Sequence, residues 1–147
     1  MLWWFSAREE SSNSATTAQT GFSTTYQKVT QYNSNGIEEG GVVVDLPNDE
    51  IDLPAGTWEF SFSHSFTAAN SNIIVHFAIF DVADTGFITP LLQRERKIGT
   101  GSDIGSMGGS KYITLASPAT IAMFGKVDSG TSALTMKHGT LSVIRIK

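Results

Sequence analysis

The clearest pattern along the chain is the alternation of aromatic and polar side chains in residues 53–66, LPAGTWEFSFSHSF. Successive side chains of a β-strand point to opposite faces, so this alternation predicts a strand with one row facing the core and one row facing water. The preceding Pro-Ala-Gly is typical of a tight turn that leads into a strand. The side chains expected in the core are Trp58, Phe60, Phe62 and Phe66, and those expected on the opposite face are Glu59, Ser61 and Ser63.

Two other segments, residues 73–80 (IIVHFAIF) and residues 140–147 (TLSVIRIK), carry apolar side chains on both faces. A strand with two apolar faces either lies between packed layers or contacts another subunit. The chain offers more apolar surface than one sandwich of this size is expected to bury, so we predict self-association. The side chains predicted to contact another copy are Ile74, Ala78, Phe80, Ile144 and Ile146.

Shorter strands separated by turn residues are predicted elsewhere. Residues 99–109, GTGSDIGSMGG, contain five glycines and are predicted to form a loop, and His138 before Gly139 is expected in a turn. With about eight to ten strands and no segment of helical period, the predicted fold class is all-β: an antiparallel jelly-roll sandwich with an extended N-terminal segment. The shorter strands are expected at residues 22–32, 42–46, 111–115, 120–127 and 133–137.

Residues 1–25 are predicted to form an anchor and a tether, followed by the jelly-roll domain at residues 26–147. An apolar cluster begins the segment, and a Ser- and Thr-rich stretch without periodicity follows. In one interpretation the cluster packs onto the domain as an extra strand; in another the segment is a disordered tail. In the third it binds a partner, because Trp-rich clusters dominate binding at interfaces and a polar linker gives them reach. The anchor residues are Leu2, Trp3, Trp4 and Phe5.

The composition is that of a β-rich protein with few charges. Charged residues make up 16% of the 147 positions, compared with about 25% in typical globular proteins. The net charge of −4 provides no basic field for a phosphate backbone, so we predict no nucleic-acid partner. The longest apolar run, residues 73–80, is too short to cross a bilayer, and no membrane association is expected. The absence of cysteine excludes disulfides and thiolate chemistry, and favours assembly in a reducing cytoplasm.

The histidines and the clustered acids are the natural candidates for chemistry. His64 lies on the apolar face of the aromatic strand and His76 on the less apolar face of the next strand, so the two would approach if these strands paired. Neither has the His-x-His spacing of a metal site, and we expect structural histidines. Acidic residues at 49–52 and 81–84 suggest calcium but match no ligand loop. Without a nucleophile elbow or a phosphate loop either, we assign no catalytic residue, cofactor or metal ligand.

The order of these elements resembles the jelly roll of the tumour-necrosis-factor-like and complement globular-head families. Those families carry an aGxYxF strand early, which residues 55–60 (AGTWEF) match with Trp in the Tyr position. They end on a GxLxV-type strand, which residues 139–143 (GTLSV) match, and the resemblance spans residues 37–147. It implies a homotrimer that forms through apolar strand faces. It also implies use as a bacteriophage head fibre, decoration protein or tail-fibre tip.

The sequence therefore favours a non-enzymatic structural virion protein, assembled in the host cytoplasm. The most specific form of this hypothesis is a bacteriophage capsid decoration, cement or head-fibre protein. Its anchor residues would bind the major capsid protein or another virion protein. The alternative is a receptor- or glycan-binding tip domain of a phage tail fibre, for which Phe87 and Met107 are the candidate contact residues. A hydrolase on a jelly-roll scaffold ranks third, because no catalytic motif supports it.

Overall fold

The computed structural model describes the backbone of residues 5–11, 18–32, 34–35, 38, 40–100 and 103–146, and the side chains of all of these except residues 5–11 and 34–35. Within these ranges the chain is almost entirely β-structure, and no helix is long and apolar enough to cross a membrane. Two 3₁₀-helices span Leu46–Asn48 and Pro90–Leu92. The strands are β1 Phe5–Ser11, β2 Gln19–Phe22, β3 Gln27–Lys28, β4 Ser34–Asn35, β5 Val43–Asp45, β6 Glu50–Leu53, β7 Gly56–Ala68, β8 Ile73–Asp81, β9 Gly86–Phe87, β10 Arg94–Ile98, β11 Gly105–Leu115, β12 Ala119–Val127 and β13 Ser132–Arg145.

The described strands form two antiparallel sheets that pack face to face. Sheet A has the order β11-β7-β13-β1-β4, with β2 paired to β13. Sheet B has the order β10-β8-β12-β6-β5, with β3 paired to β12 and β9 paired to β8. Successive long strands cross repeatedly from one sheet to the other, from β6 to β7, from β7 to β8 and from β11 through β12 to β13. This crossing is the jelly-roll connection, so the predicted fold class is confirmed.

The sandwich has two ends, the lower end and the upper end. At the lower end β7 begins and β13 ends, and the pairing of Arg145 with Trp58 marks this end. At the upper end lie the β7–β8 turn, residues 69–72, and the β12–β13 turn, residues 128–131. Gly130 in the second turn has a positive φ of 62°, and a Cβ at this position would meet no atom within 4 Å. The tip of this turn is therefore open space.

Strand β7 is the centre of the core, as its alternation predicts. Its inward side chains are at most 3% exposed, whereas Ser63 on the opposite face is exposed. The Trp58 indole is fully buried at the lower end, where its Nε1–H donates to the Pro54 carbonyl at 3.1 Å. The guanidinium of Arg145 lies over the same ring at 5.4 Å. The inward residues of β7 are Trp58, Phe60, Phe62, His64, Phe66 and Ala68.

Two of the predicted strand assignments are wrong. Residues 22–32 do not form one strand, because β2 pairs with β13 in sheet A and β3 pairs with β12 in sheet B. The chain therefore crosses between the sheets within this segment. His138 and Gly139 are not in a turn but inside β13, which runs through both of them with an irregularity between Met136 and His138. A β-bulge accommodates the extra residue there without ending the strand.

The prediction of a loop at residues 99–109 is also wrong for residues 105–109, which belong to β11. These glycines lie where the strand packs too closely for side chains. A Cβ at Gly105 would lie 2.6 Å from Ile98 Cδ1, and a Cβ at Gly109 would lie 2.7 Å from an Arg94 guanidinium nitrogen. Met107 between them is 9% exposed and is not a loop side chain. Glycine here marks close approach of neighbouring groups, which is one of its known uses in strands.

Replacing Gly108 with alanine is expected to reduce the free energy of unfolding by about 1–3 kcal/mol, the usual cost of overpacking. The added Cβ would lie 2.8 Å from the Phe62 carbonyl oxygen, which is backbone and cannot rotate away. Urea denaturation measures the change. Ser110→Ala, two residues along the same face of β11, is the matched control and is expected to be nearly neutral. Equal stability of the two variants would contradict the close approach.

Part of the predicted anchor and tether belongs to sheet A. Strand β1 pairs with β13 from Phe5, opposite Arg145, to Ser11, opposite Gly139. The backbone of Phe5–Ser11 is therefore a strand of this sheet, whereas the three interpretations of the apolar cluster at residues 2–5 stay predictions. Leu2, Trp3, Trp4 and the Phe5 side chain lie outside the described residues, and the boundary between residues 25 and 26 stays a prediction. A deletion that tests the anchor has to end before residue 5, because removing β1 would expose the edge of β13.

Candidate interaction face

The outer face of sheet A, which points away from the core, is the most distinctive surface among the described residues. Its side chains come from the same-parity positions of β11, β7 and β13, so they line up in cross-strand rows. Most of the rows contain only serine, threonine and glycine. From the lower end upward the rows are Thr114–Thr57, Tyr112–Glu59–Ile144, Ser110–Ser61–Ser142, Gly108–Ser63–Thr140 and Ser106–Ser65–His138.

Many hydroxyls of this face are hydrogen-bonded to one another. Ser61 and Ser142 Oγ atoms are 2.6 Å apart, and the Oγ1 atoms of Thr57 and Thr114 are 3.0 Å apart. The small side chains leave a shallow groove of about 530 Å³ whose floor includes Ser61, Ser142 and Gly108. Burying a hydroxyl without a partner is costly, whereas a hydroxyl that is already paired can be covered at lower cost. This groove is therefore suited to contact with another protein surface.

The second row from the lower end, Tyr112–Glu59–Ile144, differs from the hydroxyl rows and is called the lower row below. Tyr112 is 65% exposed, and Ile144 is half-buried. Ile146 follows just below, where its N–H donates to the Thr57 carbonyl at 2.8 Å. The Glu59 carboxylate has no hydrogen bond or ion pair among the described residues. The lower row therefore has an apolar side chain on either side of the Glu59 carboxylate, which no other described residue contacts through a hydrogen bond or ion pair.

The structure separates the side chains predicted to contact another copy. Ile144 and Ile146 lie at the lower end of the outer face of sheet A, next to Tyr112. The remaining three project from the opposite side of the molecule, the outer face of sheet B. There Ala78 and Phe80 are 0% and 6% exposed, because the chain covers its own apolar surface. Contact of any of these five residues with another copy stays a prediction.

An aromatic cluster provides that cover on sheet B. The Phe80 ring stacks on Phe124 with centroids 4.4 Å apart, and Tyr26 and Phe87 lie 5.1 and 4.9 Å from it. Lys126 Nζ is 4.9 Å from the Tyr26 ring. Phe87 at the margin is 39% exposed. The cluster is a small second core that fixes the connections before β3 and after β8, with one ring reaching solvent.

His64 and His76 are not brought together. Their strands lie in different sheets, with His64 facing the core and His76 on the outer face of sheet B, where its Nδ1 is 3.4 Å from Glu95. His64 is 1% exposed, its Nε2 is 2.5 Å from the Tyr32 hydroxyl, and its Nδ1 has no hydrogen-bond partner among the residues that the structure describes. Burial lowers the pKa of His64 to about 3 and also lowers the pKa of His76. His64 is therefore neutral at physiological pH.

Tyr32 links His64 to a second buried titratable group, Asp49. The Tyr32 backbone N–H donates to Asp49 Oδ1 at 3.2 Å. Asp49 is 7% exposed, and burial raises its pKa to about 6, although the Tyr32 N–H and the charge of Lys28 oppose this. The neighbouring carboxylate Glu50 forms an ion pair with Lys28. From this buried position, Asp49 fixes the backbone at Tyr32 through a hydrogen bond.

The acidic residues that suggested calcium lie partly in one open pocket. Asp52, Asp81 and Asp84 line a depression of about 540 Å³ at the lower end. The hydroxyl of Thr120 donates to Asp52 Oδ1 at 2.5 Å, and the Ala83 N–H donates to Asp81 Oδ1 at 3.0 Å. Among the described residues, no three His, Asp or Glu side chains converge as a metal-ligand set. The depression is an acidic surface feature formed by turns.

Comparison with solved structures identifies the fold. The globular domain of a zebrafish complement 1qA protein superimposes with a TM-score of 0.59 at 9% identity, covering 97% of this chain and 98% of that chain. Eiger TNF from S. frugiperda gives 0.65 at 8% identity, covering 98% and 93%. Murine APRIL gives 0.64 at 9% identity, covering 98% and 100%. No family model and no curated protein matches the sequence. The chain therefore has the complement- and TNF-like jelly-roll fold that its sequence resembles.

Proposed function

We propose that this protein is a non-enzymatic structural virion protein, a bacteriophage capsid decoration, cement or head-fibre protein. It self-associates as a homotrimer through the outer face of sheet A, and residues 2–5 attach it to the particle. The observation that carries the proposal is the outer face itself: a groove of small, mutually paired hydroxyls beside exposed Tyr112. Interface cores are depleted in charge and enriched in tyrosine, and this face fits that description.

The composition and the fold support the structural role. Solubility rests on serine and threonine and little on charge, which is typical of β-rich virion proteins. The two packed sheets bury the inward side chains along the whole of β7 and most of β8. Such a packed core is suited to presenting a fixed outer surface for binding. The jelly-roll order matches the domain type that the sequence resembles. Together these features favour a protein whose task is to bind other copies and other virion proteins.

Incorporation into particles tests the proposal. We expect the labelled full-length chain to co-sediment with virions, and a variant that lacks residues 2–4 to be lost from them while its melting temperature is nearly unchanged. The reason is that the deletion spares β1, whereas it removes three of the four anchor side chains. Ser129→Ala, in the upper turn, is the matched control and should incorporate normally. Absence of the full-length chain from particles would contradict the virion role.

One observation favours the alternative, a receptor- or glycan-binding tip. The exposed ring of Phe87 is held in place by Tyr26 and Phe80, and a fixed aromatic surface is a common element of small-ligand sites. Met107, the other candidate, is buried in β11 and does not contribute. Binding to host cells that Phe87→Ala abolishes and Tyr112→Ser leaves intact would favour this function over the first.

A further inference from the structure

Beside the outer face of sheet A lies a smaller exposed surface that complements the lower row. Strand β11 is the last strand of sheet A, so no other described strand pairs with its far side. Lys111 of β11 is exposed there, and Leu91 is 64% exposed in the 3₁₀-helix that packs against β11. These two residues are called the side surface below. It has one cation and one apolar side chain, whereas the lower row has one carboxylate and two apolar side chains.

The two opposite charges, Glu59 and Lys111, form no ion pair with any described residue. Successive side chains of a strand point to opposite faces of the sheet. Tyr112 shares the outer face with Glu59, so Lys111, its neighbour in β11, projects from the other face. The sheet therefore separates the two charges within one copy, and an ion pair between them requires two copies.

The side surface and the lower row lie at nearly the same distance from the lower end. Tyr112 pairs with Glu59, and Lys111 is the adjacent residue of β11. One residue of a strand corresponds to about 3.4 Å. Two copies placed side by side with their lower ends level would therefore bring Lys111 of one copy to the height of Glu59 of the other.

The other cations beside β11 lie nearer the upper end. The Arg94 guanidinium lies beside Gly109, two residues above Lys111, and donates to the Leu91 carbonyl at 3.4 Å. Strand β10 continues from Arg94 towards the upper end, so residues 96–97 are level with the hydroxyl rows. Among the described cations beside β11, Lys111 is thus the one that is level with Glu59.

The proposed function determines how the copies are oriented. Phe5 directly follows three anchor residues and lies at the lower end, so attachment through residues 2–5 turns the lower end of every copy towards the particle. A ring of such copies has its rotation axis along the strands, and rotation about that axis keeps every residue at its height. A cyclic trimer joins two different surfaces of each copy. The lower row and the side surface are such a pair, because their charges are opposite and their heights agree.

We propose that Lys111 of one copy forms an ion pair with Glu59 of the next copy, so that the side surface binds the lower row. Leu91 packs on the apolar side chains of that row. This inference rests on the proposed function, because it names the part of a second copy that occupies the outer face of sheet A. A charge pair at such a contact sets its register and rejects wrong partners. Residues 2–4 take no part in the contact and are left for attachment to the particle.

Charge reversal tests the inference. Glu59→Lys and Lys111→Glu each place like charges opposite one another, and each is expected to weaken association by roughly 10-fold or more. The double variant has opposite charges again and should associate nearly as the wild type does. Sedimentation velocity over a range of protein concentrations measures the association. Lys97→Glu is the matched control, because it makes the same change in net charge at an exposed lysine of β10, and it should associate as the wild type does.

Rescue by the double variant supports the inference, and each of the other results overturns it. Unchanged association of Lys111→Glu would show that this lysine only protects the edge strand from unwanted pairing. A double variant that associates as weakly as the single variants would show that the two charges are not partners. Equal weakening by Lys97→Glu would show that net charge alone decides association.

Milder variants keep the test decisive if a charge reversal lowers the melting temperature. Glu59→Gln and Lys111→Gln each remove one charge of the pair. The two substitutions together are expected to weaken association no more than one of them alone, because a single substitution already removes the ion pair. Additive losses would overturn the inference.

The proposed function is judged by different results. A wild-type chain that stays monomeric at every concentration contradicts the homotrimer and this inference together. If the wild type associates but charge reversal has no effect, the homotrimer stands and only this inference fails. Loss of the variant that lacks residues 2–4 from particles tests the anchor alone, since that deletion leaves both surfaces of the contact intact.

Discussion

Replacing Phe60 with alanine is expected to lower the free energy of unfolding by about 3–5 kcal/mol, as large aromatic truncations in protein cores do. Phe60 is 0% exposed and lies in the middle of β7, which is paired on both sides by β11 and β13. The surrounding strands cannot move into the vacated volume without breaking these ladders. The truncation therefore loses contacts and leaves a cavity, and both effects reduce stability.

Urea denaturation measures the stability of Phe60→Ala, and we expect the midpoint to fall while the m-value stays unchanged. The matched control is Ser63→Ala on the same strand, whose side chain is exposed on the opposite face. That variant is expected to stay within about 0.5 kcal/mol of the wild type. Near-wild-type stability of Phe60→Ala would show that β7 does not form the centre of the core.

Replacing His64 with glutamine is expected to change how stability depends on pH. The folded-state pKa of His64, about 3, lies below the unfolded value of about 6.5. The unfolded chain therefore binds a proton first, and the contribution of neutral His64 is complete above pH 6.5 and lost as pH falls towards 3. The loss is up to about 1.4 kcal/mol per pH unit. Glutamine does not titrate, so the variant should lack this loss.

The contribution of Asp49 to stability changes with pH in the opposite direction to that of His64 over part of the same pH range. Its folded-state pKa is raised to about 6, so its contribution is fully present below pH 3.8 and is lost as pH rises through 6. Between pH 6 and 4 it offsets part of the His64 effect. Tyr32, Phe62 and Phe77, which contact His64, carry no charge at these pH values, and the charged groups acting on Asp49 are Lys28 and Glu50.

Urea midpoints measured from pH 7.5 to 4 separate the contributions of His64 and Asp49 to stability. The wild type is expected to lose stability gradually, His64→Gln to gain stability towards acid, and Asp49→Asn to lose it more steeply than the wild type. The order of the three slopes is the test, because absolute stability also reflects the altered packing of each variant. Parallel curves for the wild type and His64→Gln would contradict a buried, neutral histidine.

The sequence predicts the centre of the fold well because the signal there is local. In β7 the alternation of inward aromatics and outward serines is complete, and both faces appear in the structure as expected. The cover over the outer face of β8 has no such local signal, because the residues that form it are distant in sequence or lie in irregular segments. Tyr26 precedes Phe80 by many residues, and no local period indicates that it folds over the sheet to cover that ring.

Glycine explains the main error in the fold. Composition indicates a loop at residues 99–109, since glycine favours turns. In β11 it instead permits close approach to Phe62 and Arg94, which only the assembled sandwich reveals. The candidate site was missed for a related reason. Tyr112 is a single aromatic residue in a polar strand, and its row with Glu59 and Ile144 depends on the pairing register of three strands that are far apart in sequence.

The open tip of the β12–β13 turn makes the molecule suitable for displaying foreign peptides. Residues 128–131 lie at the upper end, and Phe5, which directly follows the predicted anchor residues Leu2, Trp3 and Trp4 in the chain, lies at the lower end. A protein fixed to a particle by those anchor residues would hold the turn away from the particle. Because a Cβ at Gly130 meets no neighbour, an epitope inserted there would leave the core and the interaction face unchanged. A particle covered with such copies would present the epitope in a dense, regular array.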